Sequence, residues 1–306
     1  MDGYVWIWGR AQAALDFFYR LQGEGGRRVF YAETWSDCLA RMEEDGGQGR
    51  MYAFPDERQC TQLPRFFAAL SSRPCYDLQI ACADVSRWHL SGHHLRRCGD
   101  LTFARFTFQR MPLGQRILKR SFDTFVCGAG LLALLPVFLL CAFLVKTGSK
   151  GPVLYSQERI GKGGKPFRIY KFRSMRADAE DSVPKLSHAG DPRITRWGAV
   201  MRKFRLDELP QFWNVVRGDM SLVGYRPERD YFIRQIEQRA PYFPLLYAVR
   251  PGVTSLFATT YSYAENMDQM MVRLSCDIEY LENYSVKQDL QVMMKTVPVV
   301  LKGIGK

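Results

Sequence analysis

The chain contains 306 residues, 47% of them hydrophobic, and carries a formal net charge of +12. A chain of this length and composition is not expected to be intrinsically disordered, and it is long enough for two compact domains. Residues 1–110 contain 14 Arg and 13 acidic residues, whereas the remainder contains 29 basic and 18 acidic residues. We therefore expect the anion-binding surface to lie after residue 110.

The first 110 residues alternate short apolar runs with segments of helical pattern. The runs at 4–8, 28–31, 51–54, 78–82 and 101–108 predict strands, and the segments at 11–21, 35–44, 62–70 and 85–97 predict helices. This alternation predicts a small, doubly wound α/β domain with a parallel sheet over residues 1–110.

The turn after the first predicted strand argues against two functions of such a domain. Gly9-Arg10-Ala11 lacks the second and third glycines of a dinucleotide-binding turn. A phospho-receiver domain needs acidic residues at this point and a later Lys, whereas Arg10 stands here and residues 1–110 contain no Lys. The domain therefore reads as a degenerate, Rossmann-like module for docking or dimerisation, through which the chain could form a homodimer.

Four potential metal ligands, His89, His93, His94 and Cys98, follow one another at short spacing on the last predicted helix of this domain. A solvated helix face is favoured over a zinc site, because no second Cys or His group completes four ligands. The eight cysteines show no CxxC pair, and the N-terminus shows no basic region followed by an apolar core. Reduced thiols and a cytoplasmic location without a secretory signal are therefore expected.

Residues 125–145 form an uncharged run of 21 residues, bounded by Asp123 and Lys146. The run could just cross a bilayer, but Pro136 near its middle predicts a kink. Both flanks are basic, whereas a spanning helix usually shows this bias on one side. A re-entrant membrane hairpin within residues 111–150 is therefore favoured over a simple span, and a buried helix of a soluble protein is favoured least.

A second segment with membrane character spans residues 194–204. Apolar residues, Trp197 among them, recur there every three to four positions and alternate with Arg and Lys. The pattern is typical of an interfacial helix, although an amphipathic helix on a soluble core has the same pattern. The adjacent apolar run favours the interface.

Asp207 and Glu208 are adjacent carboxylates directly behind the cations of residues 202–205. Consecutive helical side chains point about 100° apart, so the two carboxylates are expected to have different roles. One could attack phosphorus while cations neutralise the substrate, and the other could hold Mg²⁺. The alternative is that such a pair is ordinary solvated surface.

Other cations could bind phosphate. Lys171 and Arg173 lie in the basic, aromatic segment 165–176, and Arg226 and Arg250 each precede a Pro that favours an extended loop. Residues 161–164 predict a hairpin turn rather than a phosphate-binding loop. A nucleic-acid partner is not expected, because the chain combines these cations with an apolar run and no recognisable nucleic-acid module.

The order of these motifs resembles the bacterial sugar transferase family, the monotopic phosphoglycosyl transferases. The matching segments begin at Lys119-Arg120-Ser121-Phe122-Asp123 and Tyr170-Lys171-Phe172-Arg173-Ser174-Met175. They continue with 206–214, 218–224 and 250–254, and end with 277–280, 284–285 and 289–290. The resemblance covers about residues 115–303, which places a catalytic α+β domain at residues 151–306 behind a re-entrant helix and interfacial helices.

The resemblance implies that Asp207 attacks a nucleoside diphosphate sugar, usually a UDP-sugar, and releases UMP. Polyprenyl phosphate, undecaprenyl phosphate being the expected form, would then accept the phosphosugar, initiating capsule, exopolysaccharide or glycoconjugate synthesis. In this reading Glu208 binds Mg²⁺. The residues assigned to phosphates or substrate are Lys171, Arg173, Arg202, Arg226, Arg250 and Asp277.

The implied location is the cytoplasmic leaflet of the inner membrane, with the bulk of the chain facing the cytoplasm and a hairpin marked by Asp123 and Pro136. Two departures stand out: Tyr225 replaces a Pro of the family, and Ser255 with residues 259–267 replaces a Gly and an Asn-Gly-Arg-Asn element. They motivate a second hypothesis, a catalytically impaired scaffold docked at the membrane within a polysaccharide assembly system.

Overall fold

A computed structural model describes residues 4–23, 28–44, 49–73, 75–81, 88, 90, 94–98, 101–176, 178–179, 184–188, 190–261 and 264–303. The chain divides into two compact units. The first contains residues 1–110 together with 236–248 and 281–284, and the second contains 111–235, 249–280 and 285–306. The domain boundaries predicted from the sequence, and the function assigned to each domain, remain predictions.

The first unit contains a six-stranded sheet with the order β2-β1-β3-β4-β6-β5. Strands β1 to β4 pair in parallel with one another, whereas β6 pairs antiparallel with both β4 and β5. The prediction of a parallel sheet was therefore wrong at this edge, because an apolar run shows the same pattern in either direction. The strands are β1 (Tyr4–Trp8), β2 (Arg28–Ala32), β3 (Arg50–Ala53), β4 (Cys75–Ile80), β5 (Leu95–Cys98) and β6 (Leu101–Gln109).

The helices described within residues 1–110 are α1 (Gln12–Gly23), α2 (Trp35–Glu44), α3 (Glu57–Cys60) and α4 (Leu63–Ser71). Aromatic residues fill the core of the first unit, with Trp6, Trp8 and Phe66 almost fully buried. The later segment 236–248 contributes Tyr242, whose ring centroid lies 5.1 Å from that of Phe106. The unit therefore completes its core with residues distant in sequence.

The prediction of a helix at 85–97 was wrong for those of its residues that form a strand in the described structure. Residues 95–98 form β5, which pairs with β6. His94 is buried, and its Nε2 lies 3.0 Å from Oε2 of Glu282. His89 and His93 lie outside the described residues, and no cluster of His, Cys, Asp or Glu suited to a metal occurs among those described.

The second unit begins with the bent helix pair α5 (Leu113–Ala133) and α6 (Leu135–Gly148). The two axes differ by 63°, and the break is at Leu134, two residues before Pro136. The predicted kink is confirmed, because Pro136 has no amide hydrogen to continue the helix. Among the described residues no single helix has the length and apolarity to cross a membrane, whereas this bent pair meets both conditions.

A hairpin follows, formed by β7 (Leu154–Ile160) and β8 (Pro166–Phe172), which pair antiparallel. Its turn contains Gly163 and Gly164 at φ 68° and 70°, values that glycine adopts readily. The hairpin turn predicted at 161–164 is confirmed. A two-stranded parallel pair, β9 (Ser221–Val223) and β10 (Gly252–Thr254), lies later in the chain.

The remaining helices are α7 (Arg196–Lys203), α8 (Gln211–Arg217), α9 (Asp230–Arg239), α10 (Met267–Glu282) and α11 (Val286–Leu301). Helix α7 begins at Thr195, whose side chain accepts a hydrogen bond from the Gly198 amide. It buries Met201 and exposes Trp197 and Val200. The predicted amphipathic helix is confirmed, and its contact with a membrane remains a prediction.

Candidate active site

A reversal of the chain after α7 carries Asp207 and Glu208 into the interior. Arg205 adopts a left-handed conformation at φ 55°, and the pair follows in a 3₁₀ turn, Leu206–Glu208. A non-glycine residue in this region is strained, so the surrounding structure must hold it. Each carboxylate residue is only 3% exposed, and the pair is therefore not solvated surface.

Glu208 is surrounded by cations. Its Oε1 accepts hydrogen bonds from Lys171 Nζ and from Arg226 Nη2, each at 3.0 Å, and its Oε2 lies 3.6 Å from Arg205 Nη1. Burial alone would raise the pKa of Glu208, but these charges hold it well below the usual range. Glu208 is therefore an anion that positions Lys171 and Arg226 beside Asp207.

Asp207 differs from its neighbour. Its Oδ1 is buried and accepts no hydrogen bond in the described structure. Burial, with a further contribution from the charge of Glu208, raises the pKa of Asp207, although Lys171, Arg202 and Arg226 oppose the shift. A carboxylate oxygen that is desolvated and unpaired is a stronger nucleophile than a hydrogen-bonded one.

Asp207 lines a cavity of about 340 Å³ within the second unit. The only other carboxylate among the described lining residues is that of Glu228. The cationic lining residues are Arg159, Lys171, Arg173, Arg176, Lys185, Arg193, Arg202, Arg226, Arg229 and Arg273. This excess of positive charge suits a ligand with several negative charges, such as a diphosphate.

Arg202 reaches the cavity from the last turn of α7. Its Nε donates to Ser174 Oγ at 2.9 Å and its Nη1 donates to Ser187 Oγ at 2.8 Å. Neutral hydroxyl partners hold the guanidinium in place without cancelling its charge. The predicted phosphate ligands Lys171, Arg202 and Arg226 therefore line one cavity with Asp207.

Two other predicted ligands are bound to backbone carbonyls instead. Arg173 donates to the carbonyl oxygens of Lys150 and Ser149, at 2.7 and 2.8 Å. Arg250 donates to the carbonyl of Gly218 at 2.9 Å and is not among the described residues that line the cavity. These contacts fix loops, but Arg173 also lines the cavity, so its binding of phosphate stays a prediction, as does that of Arg250.

Asp277 lies on α10 and is 2% exposed, and its Oδ1 accepts no hydrogen bond in the described structure. Burial raises its pKa to about 7, although Arg273 and a hydrogen bond from the Arg226 backbone oppose the shift. Asp277 is not one of the described cavity-lining residues. Asp277 therefore contacts the backbone of Arg226 without being part of the cavity lining described.

The residues marking the hairpin have structural partners. Asp123, 4% exposed, accepts a hydrogen bond from the Ser221 hydroxyl of β9, and Lys119 lies 3.7 Å from its Oδ2. A buried carboxylate on α5 thus joins the hairpin to the rest of the second unit. Pro136 sets the bend described above.

The two family departures are accommodated by packing. Tyr225 is fully buried, and Ser255, 3% exposed, accepts a hydrogen bond from the Ala258 amide at the start of a 3₁₀ turn. Neither is among the described lining residues of the cavity. Ala264, which follows this turn, does line it.

Several residues of the cavity wall were not assigned to the site from the sequence, and Arg159, Glu228 and Arg273 are among them. Glu228 contacts both arginines. Arg273 stands four residues before Asp277 on α10, so helical spacing was a signal that could have identified it. Arg159 carried no local signal of its contact with Glu228, because that carboxylate is 69 positions away in the sequence.

Comparison with known proteins points to the same part of the chain as the cavity and its carboxylates. A model of the bacterial sugar transferase family matches residues 114–303. The chain belongs to this family. The matched residues include both carboxylates, the cationic cavity and the bent helix pair.

Three curated relatives of the chain have names that state a sugar donor and a lipid acceptor. The chain is 34% identical to a UDP-N-acetylgalactosamine-undecaprenyl-phosphate N-acetylgalactosaminephosphotransferase of Aeromonas hydrophila, over 71% of this chain and 54% of the relative. It is 30% identical to a UDP-glucose:undecaprenyl-phosphate glucose-1-phosphate transferase of Escherichia coli, over 87% of this chain and 58% of the relative. A Caulobacter vibrioides protein with the latter name is 39% identical over 60% of this chain and 69% of the relative. The chain thus spans little more than half the length of the first two relatives.

Proposed function

We propose that this chain transfers a sugar phosphate from a UDP-sugar to undecaprenyl phosphate, through a covalent phosphosugar intermediate on Asp207. The observation that supports this proposal is the unpaired, buried Oδ1 of Asp207 in the wall of a strongly cationic cavity. The relatives named above act on UDP-sugars and undecaprenyl phosphate.

In the first step, Oδ1 of Asp207 attacks the β-phosphorus of the donor. A bond forms between Oδ1 and phosphorus, and the bond from phosphorus to the bridging oxygen breaks. UMP departs with that oxygen and its electron pair, while Lys171, Arg202 and Arg226 balance the charge of the phosphates. The product on the protein is an acyl phosphate that carries the sugar.

In the second step, a phosphate oxygen of undecaprenyl phosphate attacks the same phosphorus. The bond to Oδ1 breaks, which restores the Asp207 carboxylate and yields the undecaprenyl diphosphate sugar. No external base is required for either attack, because both nucleophiles are already anions.

We also propose that Mg²⁺ participates, held by Glu208 and by phosphate oxygens of the donor. Hard carboxylate oxygens shared with substrate phosphates are the ligands that Mg²⁺ prefers, and the ion would neutralise phosphate charge. Glu208 already accepts hydrogen bonds from Lys171 and Arg226, and it is not among the described residues that line the cavity, so an ion held there would compete with these cations for its oxygens.

The test of this function is a nucleotide-release assay on the full chain with undecaprenyl phosphate, Mg²⁺ and a panel of UDP-sugars that includes UDP-N-acetylgalactosamine and UDP-glucose. We expect UMP as the nucleotide product, a burst of UMP limited to the amount of protein when the acceptor is omitted, and loss of release in EDTA. Release of UDP instead would contradict phosphosugar transfer, as would absence of any product across the panel.

For the membrane, we propose a re-entrant hairpin in the cytoplasmic leaflet of the inner membrane, supported by the 63° bend and by ten large apolar side chains on α5 and α6 that are exposed in the described structure. Cysteines at Gly114 and Lys150 test it, because an added side chain at Gly114 meets nothing within 4 Å and Lys150 is exposed. Both sites should react with an impermeant thiol reagent from one face only. Reaction from opposite faces would establish a span.

We propose that the first unit has a degenerate Rossmann-like fold. The strand order is β2-β1-β3-β4, so the chain passes from β1 outward to β2 and then returns to β3 on the other side of β1. Right-handed crossovers would therefore place α1 and α2 on opposite faces of the sheet. An experimental structure with both helices on one face would contradict this inference.

A further inference from the structure

The cavity contains a second buried carboxylate that the proposed chemistry does not use. Glu228 is 5% exposed, and it lies in the same loop as Arg226, two residues further along. Its Oε2 accepts a hydrogen bond from Arg159 Nη1 at 3.0 Å, and its Oε1 accepts one from Arg273 Nη2. Glu228 thus resembles Glu208 in holding two cations in the cavity wall.

Arg159 is held rigidly on β7. Besides Glu228, its Nη1 donates to the Pro227 carbonyl at 3.2 Å, and its Nη2 donates to Gln157 Oε1 at 2.7 Å. Burial lowers the pKa of Arg159, and the positive charges of Arg226, Arg229 and Arg273 lower it further, against the opposing effect of Glu228. The positive charge here exceeds what Glu228 neutralises, so a bound anion would be stabilised.

Arg273 has donors to spare. It is 7% exposed and lines the cavity from α10, and within the described residues Glu228 is its only hydrogen-bond partner. A guanidinium carries five N–H groups in a planar fork, a geometry that fits two oxygens of one phosphate. Its orientation is fixed by Glu228 while most of its donors stay available.

The two carboxylate-centred clusters are adjacent. Arg226 contacts Glu208 at 3.0 Å, and its charge also helps to hold the pKa of Glu228 below the usual range, together with those of Arg273 and Arg159 and against the effect of burial. The cluster at Glu208 adjoins Asp207 in the sequence and in space, so it serves the phosphorus that is attacked. Adjacent anion sites on one wall are the arrangement that the two phosphates of one diphosphate require.

We propose that Arg159 and Arg273, oriented by Glu228, form a second anion subsite that binds the α-phosphate of the donor, the phosphate that leaves as the nucleoside monophosphate. The proposal rests on the proposed function. It makes Arg273 a binding residue and Glu228 a positioning residue, and it separates the leaving phosphate from the phosphate next to Asp207.

The experiment measures UMP binding to the full chain in detergent by calorimetry, for Arg273→Gln, for Arg273→Lys and for the matched control Arg234→Gln. Arg234 lies on α9 with its side chain 77% exposed. We expect Arg273→Gln to weaken UMP binding roughly 10- to 100-fold, the range for hydrogen bonds to a charged group. The UMP affinity of Arg273→Lys should lie between those of Arg273→Gln and the unaltered chain, because Lys keeps the charge but lacks the planar fork of donors. The UMP affinity of Arg234→Gln should match that of the unaltered chain.

Uridine and undecaprenyl phosphate serve as comparison ligands. Equal UMP affinity for Arg273→Gln and the unaltered chain would overturn the proposal, as would an affinity loss seen only for undecaprenyl phosphate, or no UMP binding by the unaltered chain. If Arg273→Gln lowers the unfolding temperature, the decision rests on Arg273→Lys, which must weaken UMP binding while leaving uridine binding unchanged. A chain that binds UMP through Arg273 yet releases none from any UDP-sugar would retain this subsite and refute the proposed function.

Discussion

Replacing Asp207 with Asn is expected to reduce UMP release by at least about 10⁴-fold, the scale on which enzymes lose activity without their nucleophile. The amide has nearly the same shape but lacks the anionic oxygen that forms the bond to phosphorus. The burst without acceptor should disappear as well, because no covalent intermediate can form. Mass spectrometry of the unaltered chain with donor alone should show a phosphosugar adduct on the peptide that contains Asp207.

A matched control separates loss of the nucleophile from loss of charge. Asp230→Asn removes a carboxylate that is 55% exposed and pairs with Arg234 on the surface of α9. This variant should retain the activity of the unaltered chain. Substantial UMP release by Asp207→Asn, for example one tenth of the original rate, would remove Asp207 as the nucleophile.

The pH dependence of transfer follows from the same pair. Attack requires the deprotonated Asp207, and its raised pKa places the acid limb of the rate profile above the usual range of a carboxyl group. Lys171 must stay protonated to balance phosphate charge. Burial, aided by the charges of Arg226 and Arg159, lowers its pKa despite Glu208 and Asp207, so activity should decline at a lower pH than an ordinary Lys would impose.

The features that could be predicted from the sequence are those with a local cause. Pro136 forces a break in an apolar helix wherever that helix lies, and two basic flanks around an uncharged run are visible in the sequence. Strands β1 to β3 were similarly found from short apolar runs. The amphipathic pattern of α7 also depends only on neighbours along the chain.

The features that could not be predicted depend on distant partners. Glu208 meets Lys171 37 positions away and Arg226 18 positions away, and no local pattern specifies either contact. The same holds for Glu228, whose partners come from β7 and α10. Arg173 and Arg202 look alike in the sequence, yet one binds backbone carbonyls and the other binds hydroxyls in the cavity wall.

The second large effect concerns the attachment of α5. Lys119 donates to Asp289 Oδ2 and lies 3.7 Å from Asp123 Oδ2, with all three side chains at most 10% exposed. Lys119→Met is expected to lower the free energy of unfolding by about 3–5 kcal/mol, because two buried carboxylates lose the cation they share. The measurement is thermal unfolding of the full chain in detergent, where the midpoint should fall by roughly 10 °C.

Protonation of Asp289 should rescue this variant in acid. Burial already raises the pKa of Asp289, against the opposing effects of Lys119 and the Tyr280 hydroxyl, and removal of Lys119 raises it further. A carboxyl with a raised native pKa favours the folded state at low pH and loses that contribution as the pH rises, so the loss in Lys119→Met should be smaller at pH 5 than at pH 8. Lys119→Met combined with Asp289→Asn should recover part of the stability, whereas Lys287→Met, which removes an exposed Lys from α11, should change little. A loss below about 1 kcal/mol at pH 8, the range of a surface ion pair, would mean that Lys119 does not hold α5 in this way.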